Sequence, residues 1–246
     1  MSDLSATERT RHRRLREKGR TDRAALYEVL RAGFVCHLGV IDGGVPMVVP
    51  TVYGFDADHL YVHGSVASRS LATGEPSGRP SATGTAGPVT GSGGAGRDLG
   101  TAADTVCVTV THVDGLVLAR SVFEHGVNYR SAMVYGVPRK LEGEEKLAAL
   151  RILTEHAAPG QWDYARRPNR KELAATTILA ISLAEASVKV SSGPPDDGDG
   201  PDAELGLWAG VLPLVTTWLA PVADPLLPED VTPPDHIGGR TGTRLS

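Results

Sequence analysis

Two turn signals, Asp42-Gly43-Gly44 and Asp114-Gly115, each flanked by β-branched runs, limit what this chain can fold into more than any other feature. Asp-Gly and Gly-Gly supply the positive backbone angles of tight hairpin turns, whose twist matches that of the strands they join. FVCHLGVI and VPMVVPTVYGF flank the first signal, and TVCVTVTHV and LVLARSVF flank the second. LYVHG, SAMVYGVPRKL, TILAISLAEASVKV and LWAGVLPLVTTWL read as further strands. Short strands and repeated hairpin turns predict a mainly β protein, an antiparallel barrel or sandwich with peripheral helices. Pro50 interrupts the second run. Proline cannot donate to a ladder, so that strand is expected at an edge, at a bulge, or with one side of its backbone open.

Helices are few. DRAALYEVLRAG puts Ala25, Leu26, Val29 and Leu30 on one stripe, with Asp22 as N-cap and Gly33 as the stop. EGEEKLAALRILTEHAAPG predicts a helix with Leu147, Leu150 and Leu153 inward, ended by Pro159-Gly160, and Asn169 and Glu172 have capping-box spacing. Between them the chain divides into a basic arm (1–21), a domain (22–225) and a Pro- and Gly-rich tail (226–246) expected to be flexible. An insertion at about 74–103, rich in Gly, Ser, Pro and Thr, buries too little apolar surface to offset its ordering entropy. It lacks the G-x-x-x-x-G-K-[ST] pattern of a phosphate loop.

The net charge of −4 argues against nucleic-acid binding by the whole chain. The arm from Arg9 to Arg23 is basic but has no interleaved aromatics, so it reads as a solvated arm packed through carboxylate pairs. Cys36 and Cys107 lie in apolar runs, as reduced, packed cysteines do, and no His or Cys spacing suits a metal. With neither a secretory signal nor an apolar run of membrane-spanning length, the expected location is the cytoplasm.

In LYVHGSVASRSL a strand stops at His63-Gly64 and gives way to a helix start carrying Ser65, Ser68 and Arg69. Unpaired N–H groups and the positive end of a helix favour an anion there, and the hydroxyls and guanidinium suit phosphate. A serine cap with a surface arginine is the plainer alternative.

The order of VPMVVPTVYGF, LYVHGSVASRSL, VCVTVTHVDGLVLARS, VNYRSAMVYGVPRKL and LWAGVLPL resembles the flavin-binding split-barrel family, the pyridoxamine 5′-phosphate oxidase-like proteins. Within it, the actinobacterial flavin-nucleotide-binding and nitroimidazole-reductase-like branch is most similar. The resemblance spans about residues 9–225 apart from the insertion. It implies an antiparallel six-stranded split β-barrel that forms a homodimer, with FMN in two clefts at the interface. It also implies that the strand from Met47 to Tyr53 lies along the isoalloxazine ring, giving Pro50, Thr51 and Val52 a cofactor role. His63, Ser65, Ser68 and Arg69 would meet the phosphate, joined by Asn128, Arg130 and Ser131 in the NYRS segment, while Trp208 would reach the flavin from across the interface. The oxidases proper carry a lysine after the arginine where this chain has Ser70, and their C-terminal Arg-Leu-His-type substrate segment has no match in GVLPLVTTWLAPVADP. The function implied is an FMN-dependent oxidoreductase acting on a small organic substrate. A flavin-binding carrier or sensor, and a nitroimidazole-reductase-like enzyme using His63 near the ring, are the alternatives. FAD, a deazaflavin or haem stays open as cofactor.

Overall fold

The computed structural model describes residues 3–4, 7–65 and 105–245. The insertion, Ser68 and Arg69 lie outside the described residues, as does the side chain of Ser65.

Among the described residues ten strands form one antiparallel sheet. They are β1 (Gly19–Arg20), β2 (Val35–Asp42), β3 (Val45–Phe55), β4 (His59–Ser65), β5 (Val106–Leu118), β6 (Gly126–Gly136), β7 (Arg139–Lys140), β8 (Thr176–Ser182), β9 (Glu185–Ser191) and β10 (Gly210–Pro213). Their order is β1-β9-β6-β5-β2-β3-β4-β8-β7, with β10 added beside β5. The short link Leu183-Ala184 joins β8 to β9, yet the two do not pair, so the sheet curls into a barrel left split between them. This is the expected split barrel, built among the described residues from seven longer strands where six were expected, with the short strands β1, β7 and β10 added to them.

Inside the curl, Leu38, Val40, Tyr53, Leu60, Val108, Val134, Ile181 and Val188 pack with Leu26, Val29 and Leu30 of α1 (Arg23–Arg31). Asp22 caps α1 by accepting from the Ala25 N–H, as its sequence requires. Outside, α2 (Gly143–Ala157) covers β3, β4 and β8, burying Ala149 and Leu153 against Tyr61, Leu141, Ile178 and Ala180. Leu147 is 39% exposed, contrary to the predicted inward stripe, because the helix turns Lys146, Ala149 and Leu153 to the sheet. Two four-residue or six-residue helices follow, α3 (Gln161–Tyr164) and α4 (Arg170–Ala175), the latter with the Asn169–Glu172 capping box formed.

The first hairpin forms as read, with Gly43 and Gly44 at φ 59° and 84°. Asp114-Gly115 does not turn the chain. β5 runs through it unbroken against β6, and the extra residue forms a β-bulge between Val113 and Gly115. The reason is packing on both flanks. Arg130 holds the Asp114 carboxylate bidentately, and a Cβ on Gly115 would stand 2.8 Å from the Leu212 carbonyl oxygen of β10. LWAGVLPLVTTWL likewise contributes only the four residues of β10 to the sheet.

The arm is tied to the barrel. The Arg9 guanidinium donates to both carboxylate oxygens of Glu185 at 3.0 and 2.7 Å, and β1 pairs with β9. The C-terminal segment runs along the body to α5 (Asp235–Gly238). Arg240 stacks over Trp218 at 4.2 Å and donates to the Ala157 carbonyl, and Thr217 bridges to Arg244.

Candidate functional site

β3 pairs with β2 over Val45–Val52, but its pairing with β4 covers only Tyr53–Phe55. Beyond that the two strands fork. Val52, Thr51 and Pro50 stay with β2, whereas His63, Gly64 and Ser65 follow β8 opposite Ile178, Thr177 and Thr176. Thr51 sits in the crotch of the fork, its hydroxyl donating to the His63 carbonyl at 3.3 Å. The Tyr53 N–H donates to the Phe34 carbonyl on the β2 side. Successive N–H groups alternate sides, so the Pro50 nitrogen faces the open side of β3, where no ladder bond is lost. Of the three placements expected for Pro50, the structure has the third: β3 lies between β2 and β4, and one side of its backbone at Pro50 has no strand partner among the described residues.

His63 closes the other arm of the fork. Its Nδ1 is the one buried side-chain nitrogen or oxygen without a hydrogen-bond partner among the described residues. Burial holds the His63 pKa below its usual value, so the ring is neutral at pH 7. An unsatisfied buried polar group costs about 1–3 kcal/mol. That cost is removed by any bound group that donates to, or accepts from, this nitrogen.

Side-chain alternation sends Tyr53 and Phe55 to the core and Val48, Pro50 and Val52 to the outer face. The register continues that face across the sheet. Pro50 stands opposite His37, His37 opposite Thr109, Thr109 opposite Met133, and Met133 opposite Ser187. A neighbouring row runs Val48, Gly39, Cys107, Tyr135, Glu185. Where α2 ends its cover, this face is exposed and mixed, apolar at Val48 and Met133, which are 65% and 37% exposed, and polar toward β9. Cys107 is half-buried within it, and burial raises its thiol pKa; Cys36 on the core side is pushed up to about 12 by burial. Neither thiol is poised as a thiolate. No cluster of metal-ligating side chains occurs among the described residues.

The structure separates the NYRS residues. Asn128 and Arg130 share the inward face of β6 with Ala132 and Val134, Asn128 donating to the Gly193 carbonyl and Arg130 engaged by Asp114. Ser131 points to the outer face, between Thr111 and Lys189. Trp208 is 69% exposed and packs on Gly210 beside the end of β5 remote from Cys107, so within one protomer it is not brought to the fork. His37 was not singled out from the sequence, although its place was available there. A two-residue turn at Gly43-Gly44 fixes the register, and counting outward from it sets His37 against Pro50.

Against this geometry stand the comparisons with known proteins. The profile of the pyridoxamine 5'-phosphate oxidase family matches residues 22–93 and 89–190. This chain belongs to the pyridoxamine 5'-phosphate oxidase family. Two solved structures are similar along nearly its whole length. The flavocytochrome Anf3 from Azotobacter vinelandii is 33% identical, with a TM-score of 0.78 over 96% of this chain and 98% of the other. The FAD and heme binding protein from Mycobacterium smegmatis is also 33% identical, with a TM-score of 0.76 over 93% of this chain and 98% of the other. No curated protein matches the chain. As a member of the pyridoxamine 5'-phosphate oxidase family it has a flavin-binding, oxidoreductase-type fold. Among the described residues no helix is long and apolar enough to cross a membrane.

Proposed function

We propose that this protein is a flavin-dependent oxidoreductase whose isoalloxazine ring lies along the open side of β3 at Pro50, Thr51 and Val52. The observation that carries the reading is the fork itself, with a proline nitrogen facing its open side and the partnerless His63 Nδ1 at its margin. The flavin would supply the hydride and electron chemistry. The chain's own residues hold and shield it. Val48, Val52 and Met133 give an apolar floor that excludes water, and Thr51 fixes the fork through the His63 carbonyl. Neutral His63 offers one hydrogen bond to the ring or to a substrate beside it, the role a nitroimidazole-reductase-like reaction would use. Ser65, Ser68 and Arg69 follow directly from the end of β4 and are assigned to the phosphate. Arg130 is already neutralised by Asp114 and would have to leave it, so the Arg69 end is the favoured phosphate site.

A second copy of the chain completes the reading. Val35, Ile41, Val45 and Val48 leave an exposed apolar surface on β2 and β3, of the kind an interface covers. The expected working form is a cytoplasmic homodimer with a flavin in each of two clefts.

A second reading adds haem. The two 33% identical relatives are described as a flavocytochrome and as binding FAD and heme, so FAD in place of FMN, with haem alongside, is the specific alternative. Purification followed by an absorption spectrum and mass spectrometry of the released small molecules tests both. Flavin bands with a Soret band support the second, flavin bands alone support the first, and a colourless protein that quenches neither FMN nor FAD fluorescence rejects both. Reduction of the bound flavin by NADH or NADPH then separates an oxidoreductase from a carrier or sensor.

A further inference from the structure

The open face ends at β9 under the basic arm. There, a cleft of about 380 Å³ has Arg9, Thr10, Arg11, His12, Arg13 and Arg14 on one side and Ser131, Met133, Tyr135, Ser187 and Lys189 on the other. Its charges do not balance. Arg9 is matched by Glu185, and Arg11 and Arg13 share the single carboxylate of Glu8. Arg14 and Lys189 have no carboxylate partner among the described residues. Five cations against two carboxylates leave an excess that a single negative charge would not neutralise, and the Ser131 and Ser187 hydroxyls add neutral donors. A diphosphate, with two negative charges and many acceptor oxygens, matches that set.

Two further features extend the site in opposite directions. A second pocket of about 420 Å³ adjoins the cleft, sharing Thr10, Arg11, His12 and Ser187 with it and adding Leu4, Gly19 and Ala186 together with the polar Arg16, Arg20 and Thr21. The His12 ring packs against Gly19, where a Cβ would stand 2.5 Å from its Cδ2. This pocket has the size for a base, with Leu4 and the His12 ring as apolar and aromatic contacts and Arg16, Arg20 and Thr21 as donors. In the other direction, Met133 belongs both to the cleft and to the row that ends at Pro50. Three strand spacings of about 4.8 Å separate β6 from β3, so the cleft lies roughly 14 Å from the fork. An elongated ligand with a ring at one end and a nucleoside diphosphate at the other spans the two.

We propose that the cleft between the arm and β9 binds the diphosphate of an adenine dinucleotide whose second ring reaches the open face of the sheet. The dinucleotide is either FAD or the nicotinamide dinucleotide that reduces a bound flavin, and that choice rests on the flavin reading above. The cleft's affinity for an adenosine diphosphate does not.

The experiment therefore starts with ADP alone, titrated into the full-length protein at low salt by calorimetry, in the wild type, Arg14→Gln and Lys189→Gln. Neither side chain holds an ion pair, so both variants should melt with the wild type. Each should weaken ADP binding about ten- to a hundredfold, the scale of a lost charge-assisted hydrogen bond. Competition then identifies the source. ADP that displaces FAD, with FMN affinity equal in all three proteins, assigns the cleft to FAD, and ADP that displaces NADPH or NADH assigns it to the nicotinamide donor. Absence of ADP binding, ADP affinity unchanged in both variants, or ADP that competes with neither dinucleotide overturns the proposal. A protein that binds ADP in this residue-dependent way but takes up no flavin would reject the proposed function and leave the cleft standing.

Discussion

At Gly54 the backbone of α2 comes close to β3, and replacing this glycine with alanine measures how rigidly that contact is built. A Cβ at Gly54 would stand 2.8 Å from the Leu153 Cα, 3.0 Å from the Ile152 oxygen and 3.0 Å from the Leu153 nitrogen. All three are helix backbone, so no side-chain rotation relieves the clash. Optimal contact between such atoms is about 3.5–4.0 Å, and α2 would have to withdraw by roughly 0.5–1 Å. That movement lifts Ala149 and Leu153, at 2% and 3% exposure, from Tyr61 and Leu141. Overpacking of a core costs about 1–3 kcal/mol, and a clash against backbone belongs in the upper half of that range. For a domain of this size, about 2–3 kcal/mol lowers the melting midpoint by roughly 4–12 °C. Gly126→Ala is the internal control. Its added Cβ meets only the Val117 Cβ, at 3.9 Å, so relief of glycine's strand penalty should leave it neutral or stabilised by about 0.5 kcal/mol. Urea unfolding of the two variants beside the wild type reads the difference. Gly54→Ala as stable as wild type, or no worse than Gly126→Ala, would refute the packing argument.

The hydroxyl of Tyr53, fully buried, donates to the Leu30 carbonyl at 2.6 Å, so Tyr53→Phe should cost about 1–2 kcal/mol in urea unfolding; an unchanged midpoint would show the bond to be worthless. His63→Ala removes an unsatisfied group, so it should leave stability within about 1 kcal/mol of wild type while weakening flavin binding severalfold in a fluorescence titration. A large loss of stability without any change in flavin affinity would assign His63 to the core instead. His63, His112 and His156 all have pKa values lowered by burial, so the native state resists protonating them. Stability from this source is complete above about pH 6.5 and falls as pH drops below it, by at most about 1.4 kcal/mol per pH unit for each histidine. Melting midpoints that stay flat between about pH 7 and 5 would contradict that sign. Asn169→Ala removes the capping-box acceptor of α4 and should cost about 1 kcal/mol, read from the melting midpoint.

The parts legible from the sequence were those fixed by local chemistry. Asp22 caps α1 and Gly43-Gly44 turns the first hairpin because a side-chain oxygen and two positive backbone angles act within a few residues. Asp114-Gly115 carries the same signature and misled, because its outcome depends on residues far away. Arg130 draws the aspartate into a bulge, and β10, almost a hundred residues later in the chain, packs where a glycine alone leaves room. Leu147 was misplaced for a similar reason. Heptad-like spacing reports that a helix has an apolar side but not how it is rotated against Gly54, and the close approach there sets the rotation. In NYRS the residue types were informative while the period was overlooked. Adjacent positions on a strand point oppositely, so Arg130 and Ser131 cannot serve one ligand from one face.

The candidate site follows the same division between local and distant causes. Pro50 is visible in the sequence, but the opening it faces exists only because β4 leaves β3 after Val62 to pair with β8, a strand more than a hundred residues away. The fork is therefore a property of backbone routing, and its main features are a missing N–H, a carbonyl braced by Thr51 and an edge without a partner among the described residues. Side chains at such a site can vary without closing it, provided they stay small enough and apolar enough to leave the floor open. Discrimination between one flavin nucleotide and another must then come from groups outside the fork. On the arm side the proposed groups are Arg14 and Lys189, which have no carboxylate partner among the described residues. If the proposed division holds, with the ring fixed by backbone and the rest of the ligand selected by the charged arm, substitutions in the arm alone should change nucleotide preference.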